Sequence, residues 1–155
     1  MNKKKFLSDN GGWLLSIAVI AIMVMLLFSV RIVHTKGKSM EPTLTEGDVL
    51  LVVRDTTPEP GEMFLIKKDN MWMVKRVIAV AGEIVPADVC PNPYWTNAPA
   101  PATVPEGYVF VAGDNRENSQ DSRKEYFGLV PVDSFWGRIV FHFGNWNSPA
   151  WMEIG

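Results

Sequence analysis

The sequence is poor in the side chains that most hydrolytic and metal chemistry relies on. It holds one cysteine, Cys90, and two histidines, His34 and His142. One cysteine closes no disulfide within a chain, so Cys90 reads as an ordinary loop residue and says nothing of the redox compartment. The histidines stand far apart without a CxxC or HxxH companion, so neither a metal site nor a cofactor is expected. An excess of one charge is lacking too. The formal net charge is -2, and no basic face interleaves with aromatics, which excludes a nucleic-acid partner. There is no GxSxG elbow, HExxH, Walker loop or GxGxxG, and no SxxK begins at Ser39. A Ser-His-Asp triad is hard to assemble, because His34 abuts an apolar run and His142 lies inside a terminal strand pattern.

Against these absences stands one long apolar run. Gly11–Val30, GGWLLSIAVIAIMVMLLFSV, is twenty residues without a charge. As a helix it rises about 30 Å, the thickness of a bilayer's hydrocarbon core. Trp13 near one end suits the interface. A cleavable secretory signal has a shorter apolar stretch, about 7–15 residues. Arg31, Ile32, Val33 and His34 also stand where its small-x-small cleavage site belongs. A buried core helix needs a polar stripe, and this run has none. The expectation is an uncleaved anchor, residues 1–35, whose partner is the lipid bilayer. Lys3, Lys4 and Lys5 favour a cytoplasmic N-terminus, although Arg31, Lys36 and Lys38 on the other flank make the asymmetry mild.

Residues 36–155 form the second expected unit, mainly β. Short β-type runs recur at Asp48–Val53, Met63–Lys67, Met71–Ala81, Tyr108–Ala112 and Arg138–Phe143, each bounded by Gly, Pro, Asn or Asp. Lys68-Asp69-Asn70 reads as a hairpin turn between two of them. Between Pro86 and Pro105 six prolines occur, which rules out a central strand or helix and marks an insertion at about 86–105.

A hydroxyl nucleophile needs a proton acceptor. Without a usable histidine the acceptor would be a lysine, as in known serine–lysine pairs. Three segments bear on this. In Gly37-Lys38-Ser39-Met40-Glu41-Pro42, Gly37 permits close approach of backbone to a ligand and Pro42 stiffens the exit. A serine there, just before the first strand, presents its hydroxyl and its own N–H, although many such serines are only turn residues. Lys75 lies in an apolar strand run with Met73 and Val77 on its face and Arg76 on the other. Both faces are apolar, so alternation leaves open which charge is buried. A desolvated lysine loses its proton readily and becomes a base, whereas a solvated edge lysine only blocks strand pairing. Gly113–Arg123, GDNRENSQDSR, is by itself a polar surface loop.

Together and in this order, SMEPTL at Ser39–Leu44, KRVIAVAGE at Lys75–Glu83 and GDNRENSQDSR at Gly113–Arg123, behind a single N-terminal span, resemble the bacterial type I signal peptidases. The resemblance covers most of the chain and is least in the proline-rich stretch. It implies an antiparallel β-sheet catalytic domain with an apolar surface that meets the membrane. The aromatic C-terminus, Phe135, Trp136, Phe141, Phe143, Trp146 and Trp151, suits such a surface, or in part the core. It implies Ser39 as nucleophile, Lys75 as general base and Ser119 as the hydroxyl that orients the lysine amine. Asp121 and Arg123 match a supporting ion pair, and Asp114 a supporting acidic position. The oxyanion hole would use the Ser39 N–H. Some members add a hydroxyl two residues before the nucleophile, where this chain has Gly37. The implied function is a serine endopeptidase that removes signal peptides from exported preproteins, with its catalytic domain outside the cytoplasm. The alternatives are a specialised processing peptidase of a conjugation or pilus system, and a membrane-tethered β-domain that binds exported proteins without cutting them.

Overall fold

A computed structural model of the chain describes residues 3–96 and 102–145, with backbone alone for 3–11 and 145. The chain divides into two compact units, Met1–Arg31 and Ile32–Gly155. The first is helix α1, Lys3–Ser29. Its stretch Gly12–Ser29 has a mean hydropathy of 2.5 and none of it is buried within the protein. Eighteen residues of helix rise about 27 Å, so α1 is long and apolar enough to cross a membrane.

The second unit is built from strands: β1 Val30–His34, β2 Asp48–Arg54, β3 Met63–Lys68, β4 Met71–Val80, β5 Ile84–Val85, β6 Ala102–Thr103, β7 Tyr108–Ala112, β8 Val130–Pro131 and β9 Phe135–Asn145. Seven of them form one sheet in the order β1-β2-β9-β3-β4-β7-β8, and β5 and β6 form a separate ribbon. The pairings of β2 with β9, β9 with β3, β3 with β4, β4 with β7 and β7 with β8 are all antiparallel. The five expected strand runs are therefore strands, and the sheet is the antiparallel one that the resemblance implied. The expected hairpin turn joins β3 to β4. Asp69 and Asn70 both take positive φ, 49° and 61°, a left-handed pair that short polar side chains tolerate and that matches strand twist. Strand β1 went unread, because Val30–His34 is short and follows directly on the apolar helix. The two-residue strands β5, β6 and β8 carry too little pattern to read.

Apolar clusters cover both faces of the sheet. Phe64 and Ile66 of β3 belong to a core with Val77, Val109, Val111, Phe127, Val130 and Phe135. Leu65 between them points the other way, into a core with Met40, Leu44, Leu50 and Val52. A third cluster, with Val85, Cys90, Val104 and Phe110, lies under the proline-rich segment. That segment is tied down on its described flanks. Trp95 Nε1 donates to the Thr103 carbonyl at 3.1 Å and its ring lies 5.5 Å from that of Phe110. Cys90 is buried there rather than looped out, and burial pushes its thiol pKa up. Residues 97–101 of the insertion lie outside the described residues. The C-terminal aromatics divide: Phe135 is core, Trp136 is half-buried, Phe141 and Phe143 are more than half exposed, and Trp146 and Trp151 lie outside the described residues.

The Phe64 ring is fully buried and meets Phe135 edge-to-face at 5.4 Å. Phe64→Ala is expected to cost about 3–5 kcal/mol, read as a lower urea midpoint by tryptophan fluorescence of the full chain in detergent. A midpoint unchanged from the parent would show that this cluster is not the core.

Candidate active site

Lys75 lies on β4 directly opposite Phe64 of β3, so its side chain leaves the sheet on the Phe64 face. It is only 4% exposed. Arg76 leaves by the other face, where its Nε and Nη2 donate to Asp114 Oδ1 and Oδ2 at 2.7 and 2.6 Å. The alternation that sequence left open is thereby resolved. The guanidinium takes the carboxylate and part of the solvent, and the lysine takes the interior.

Lys75 Nζ donates to Ser119 Oγ at 2.9 Å. Burial pushes the amine's pKa down; Asp121 nearby pulls it up and Arg123 pushes it down, and the net result lies below the ordinary lysine value of 10.5. The pull of Asp121 on the amine is limited by its own bonds. Its carboxylate accepts from Arg123 Nε at 2.8 Å and Arg123 Nη2 at 2.9 Å, and from the Gly113 N–H at 2.9 Å. Burial raises the Asp121 pKa, but the bonds from Arg123, Gly113 and the Ser119 hydroxyl outweigh it and hold it below the ordinary value. Lys75, Ser119, Asp121 and Arg123 thus form one hydrogen-bonded chain with a neutralised far end.

Ser39 is half-buried in the turn between β1 and β2; a strand, β1, precedes it. Its carbonyl accepts from the Asn115 N–H at 3.1 Å, which ties the turn to the loop that bears Ser119. Gly113 fits between them. A Cβ there would overlap both the Ser39 carbonyl oxygen and the Ser119 hydroxyl. Sequence reasoning missed Gly113 and Asn115, since close approach between distant segments leaves no local pattern. Gly37 carries a backbone constraint besides the one read from sequence. A Cβ there would meet no protein atom within 4 Å, while its φ of +83° is a conformation that favours glycine.

Ser39 and Lys75 open on one cleft of about 550 Å³, walled by Met71, Trp72, Met73 and Tyr126. Ser39 also lines a pocket of about 150 Å³, with Val33, Met40, Leu44, Leu65 and Val74 among its walls. Of the residues singled out in the sequence, Lys75, Ser119, Asp121 and Arg123 are joined by hydrogen bonds and Ser39 shares the cleft of Lys75. Asp114 instead pairs with Arg76. Burial raises its pKa, while the bonds from Arg76 and the Thr43 hydroxyl bring it below the ordinary value. Asp114 therefore braces the Ser39 turn from behind. A buried amine whose pKa is lowered, lining one cleft with a serine, is an arrangement suited to proton removal from that serine.

The family described as signal peptidase, peptidase S26, matches residues 10–90 and 90–146. Similar proteins include a probable signal peptidase I-1 of Synechocystis sp., 30% identical over 97% of this chain and 88% of that protein. Signal peptidase IB of Staphylococcus aureus is 30% identical over 84% of this chain and 87% of its own length. A mitochondrial ATP-independent inner membrane protease subunit 1b of Arabidopsis thaliana is 34% identical over 70% of this chain and 66% of its own.

The electrostatics of Lys75 can be tested on the free protein. By ¹³C NMR of labelled lysine, its amine should titrate below 10.5. Asp121→Asn removes the neighbour that raises this value, so the midpoint should fall further. A midpoint at or above the ordinary value would contradict the burial argument.

Proposed function

The chain belongs to the signal peptidase, peptidase S26, family, and from that premise we propose that it removes signal peptides with Ser39 as nucleophile and Lys75 as general base. The observation that carries this reading is the buried Lys75 amine, hydrogen-bonded to Ser119 and opening on the same cleft as Ser39. A neutral Lys75 takes the Ser39 proton as Oγ attacks the scissile carbonyl. The Ser39 N–H steadies the developing oxyanion; Gly37 offers no side-chain donor there. The lysine ammonium then protonates the leaving amine, and the neutral amine left behind activates the water that cleaves the acyl-enzyme. Ser119 orients the amine throughout, and the Asp121–Arg123 pair holds Ser119.

The cleft also suits an extended substrate. Strand β7 pairs with β4 only from Arg76 onwards, and among the described residues the strand paired with Met71–Lys75 is β3. Residues 33–37 line the pocket opposite Trp72, Met73 and Val74. A peptide laid between these segments extends the sheet and sends alternate side chains towards the walls. One of those side chains would enter the pocket of about 150 Å³ that Ser39 lines. Preproteins bearing signal peptides are the substrates in this reading. Residues 1–35 serve as a single-pass anchor with a cytoplasmic N-terminus, and residues 36–155 as the peptidase domain on the far side. Enzyme and substrate held in one membrane meet at raised effective concentration. Neither alternative drawn from the sequence gains support, because these relatives are named as signal peptidases and a binding module has no use for a desolvated lysine.

Cleavage of a preprotein by the full chain in detergent, followed by N-terminal sequencing, tests the reading. The cut should follow a small-x-small site and be lost in Ser39→Ala and Lys75→Ala. The rate should fall as pH falls, because a protonated Lys75 accepts no proton; a flat profile down to about pH 5 would contradict a lysine base. Gly113→Ala should lower kcat by about a hundredfold, since its methyl separates the Ser39 turn from Ser119 and displacements near 1 Å cost about that much. Parent-like kcat in that variant would show that the two segments need not touch.

A further inference from the structure

Asp48 is a buried carboxylate, 3% exposed, that none of the steps above uses. It stands where the loop bearing Ser39 re-enters the sheet at the start of β2. Its Oδ2 accepts the Thr45 N–H at 2.7 Å and lies 2.8 Å from His142 Nε2 on β9. Its Oδ1 accepts the Thr45 hydroxyl at 3.0 Å. The backbone closes the same knot. The Thr35 N–H donates to the Asp48 carbonyl at 2.9 Å and the Gly47 N–H to the Thr35 carbonyl at 3.0 Å. The Thr35 hydroxyl donates to the Thr45 carbonyl at 2.5 Å. Burial raises the Asp48 pKa, and the Thr45 and His142 bonds bring it below the ordinary value, so the carboxylate is ionised as an acceptor.

This knot joins the two ends of the loop 36–44 to each other and, through His142, to β9. Between the ends, the Ser39 carbonyl is held by Asn115, and Met40 and Leu44 are buried in the core. A loop fixed at both ends and at its midpoint has little freedom left for Ser39. We propose that Asp48, held by Thr45 and His142, is the positioning residue for Ser39: it closes the nucleophile loop so that the hydroxyl is presented to the cleft at a fixed point. The inference rests on the reading of Ser39 as nucleophile and adds to it a residue that touches neither substrate nor base.

Two substitutions separate geometry from charge. In Asp48→Asn the amide oxygen can accept from the Thr45 N–H and His142, and the amide NH₂ can donate to the Thr45 hydroxyl, so the bonds survive and the charge goes. Asp48→Ala breaks them all. The measurement is preprotein cleavage by the full chain in detergent, at a temperature where unfolding curves show every variant folded. In Asp48→Ala kcat should fall about a hundredfold, with KM changed less than about twofold and the acid limb of the pH profile unmoved, since Lys75 keeps its surroundings. Asp48→Asn should keep kcat within about threefold of the parent. A lowered Tm with unchanged kcat in Asp48→Ala would overturn the proposal, because a merely structural bond acts that way. Equal losses in Asn and Ala would overturn it too, since charge and not shape would then matter. If Asp48→Ala does not fold, Thr45→Val and His142→Ala decide. Each should lower kcat about fivefold, with His142→Gln restoring it; parent-like kcat in both overturns the proposal. Ser39→Ala is run alongside. Activity remaining in it dismisses the nucleophile reading itself, whereas a dead Ser39→Ala beside a fully active Asp48→Ala dismisses the positioning role alone.

Discussion

The site depends on one amine held out of water. Taking a lysine ammonium into a protein interior costs several kcal/mol unless it is paired, and the cheaper course is to release the proton. Lys75 has apolar neighbours on its face of the sheet, Phe64 across from it and Val77 two residues on, and it donates to the Ser119 hydroxyl. A bare carboxylate at Asp121 would undo this by drawing the proton back. Arg123 prevents that with two bonds to the same carboxylate. The ion pair therefore has an electrostatic effect beyond bracing: Arg123 pushes the Lys75 pKa down while Asp121 pulls it up.

The Ser39 side of the cleft depends on contacts between segments far apart in sequence. The Ser39 turn is pressed on by Gly113, bonded by Asn115 and braced through Thr43 by Asp114, while Asp48 closes its base. The loop Gly113–Arg123 thereby does two tasks. Its first residues hold the serine and its last ones hold the lysine. A shift of that loop would move both groups, which explains why so many of its side chains and N–H groups are engaged within the protein rather than with solvent.

Much of this was legible in the sequence, and what was not has a physical reason. The long strands showed because alternation and turn residues are local; Asp69 and Asn70 marked their hairpin for the same cause. The burial of Lys75 rather than Arg76 was not legible. Both faces of β4 are covered, so period two gave no choice, and only the carboxylate of Asp114 across the sheet decides it. Strand β1 was hidden by the apolar helix that runs into it. Gly113 and Asp48 were passed over because their importance lies in what the fold brings against them: a carbonyl and a hydroxyl in one case, a histidine from β9 in the other. Ser39, Ser119, Asp121 and Arg123 were named from the joint order of three motifs, and no single one of those motifs would have sufficed.

An acyl-enzyme is the species that this account requires and that a binding module or another hydrolytic route lacks. Rapid acid quenching of the full chain during turnover of a preprotein, followed by intact and tandem mass spectrometry, would detect it directly. The account predicts a mass increase equal to the signal peptide less one water, located on Ser39 and absent from Ser39→Ala. An adduct on a different residue, or cleavage that proceeds with no adduct under conditions that slow deacylation, would contradict it.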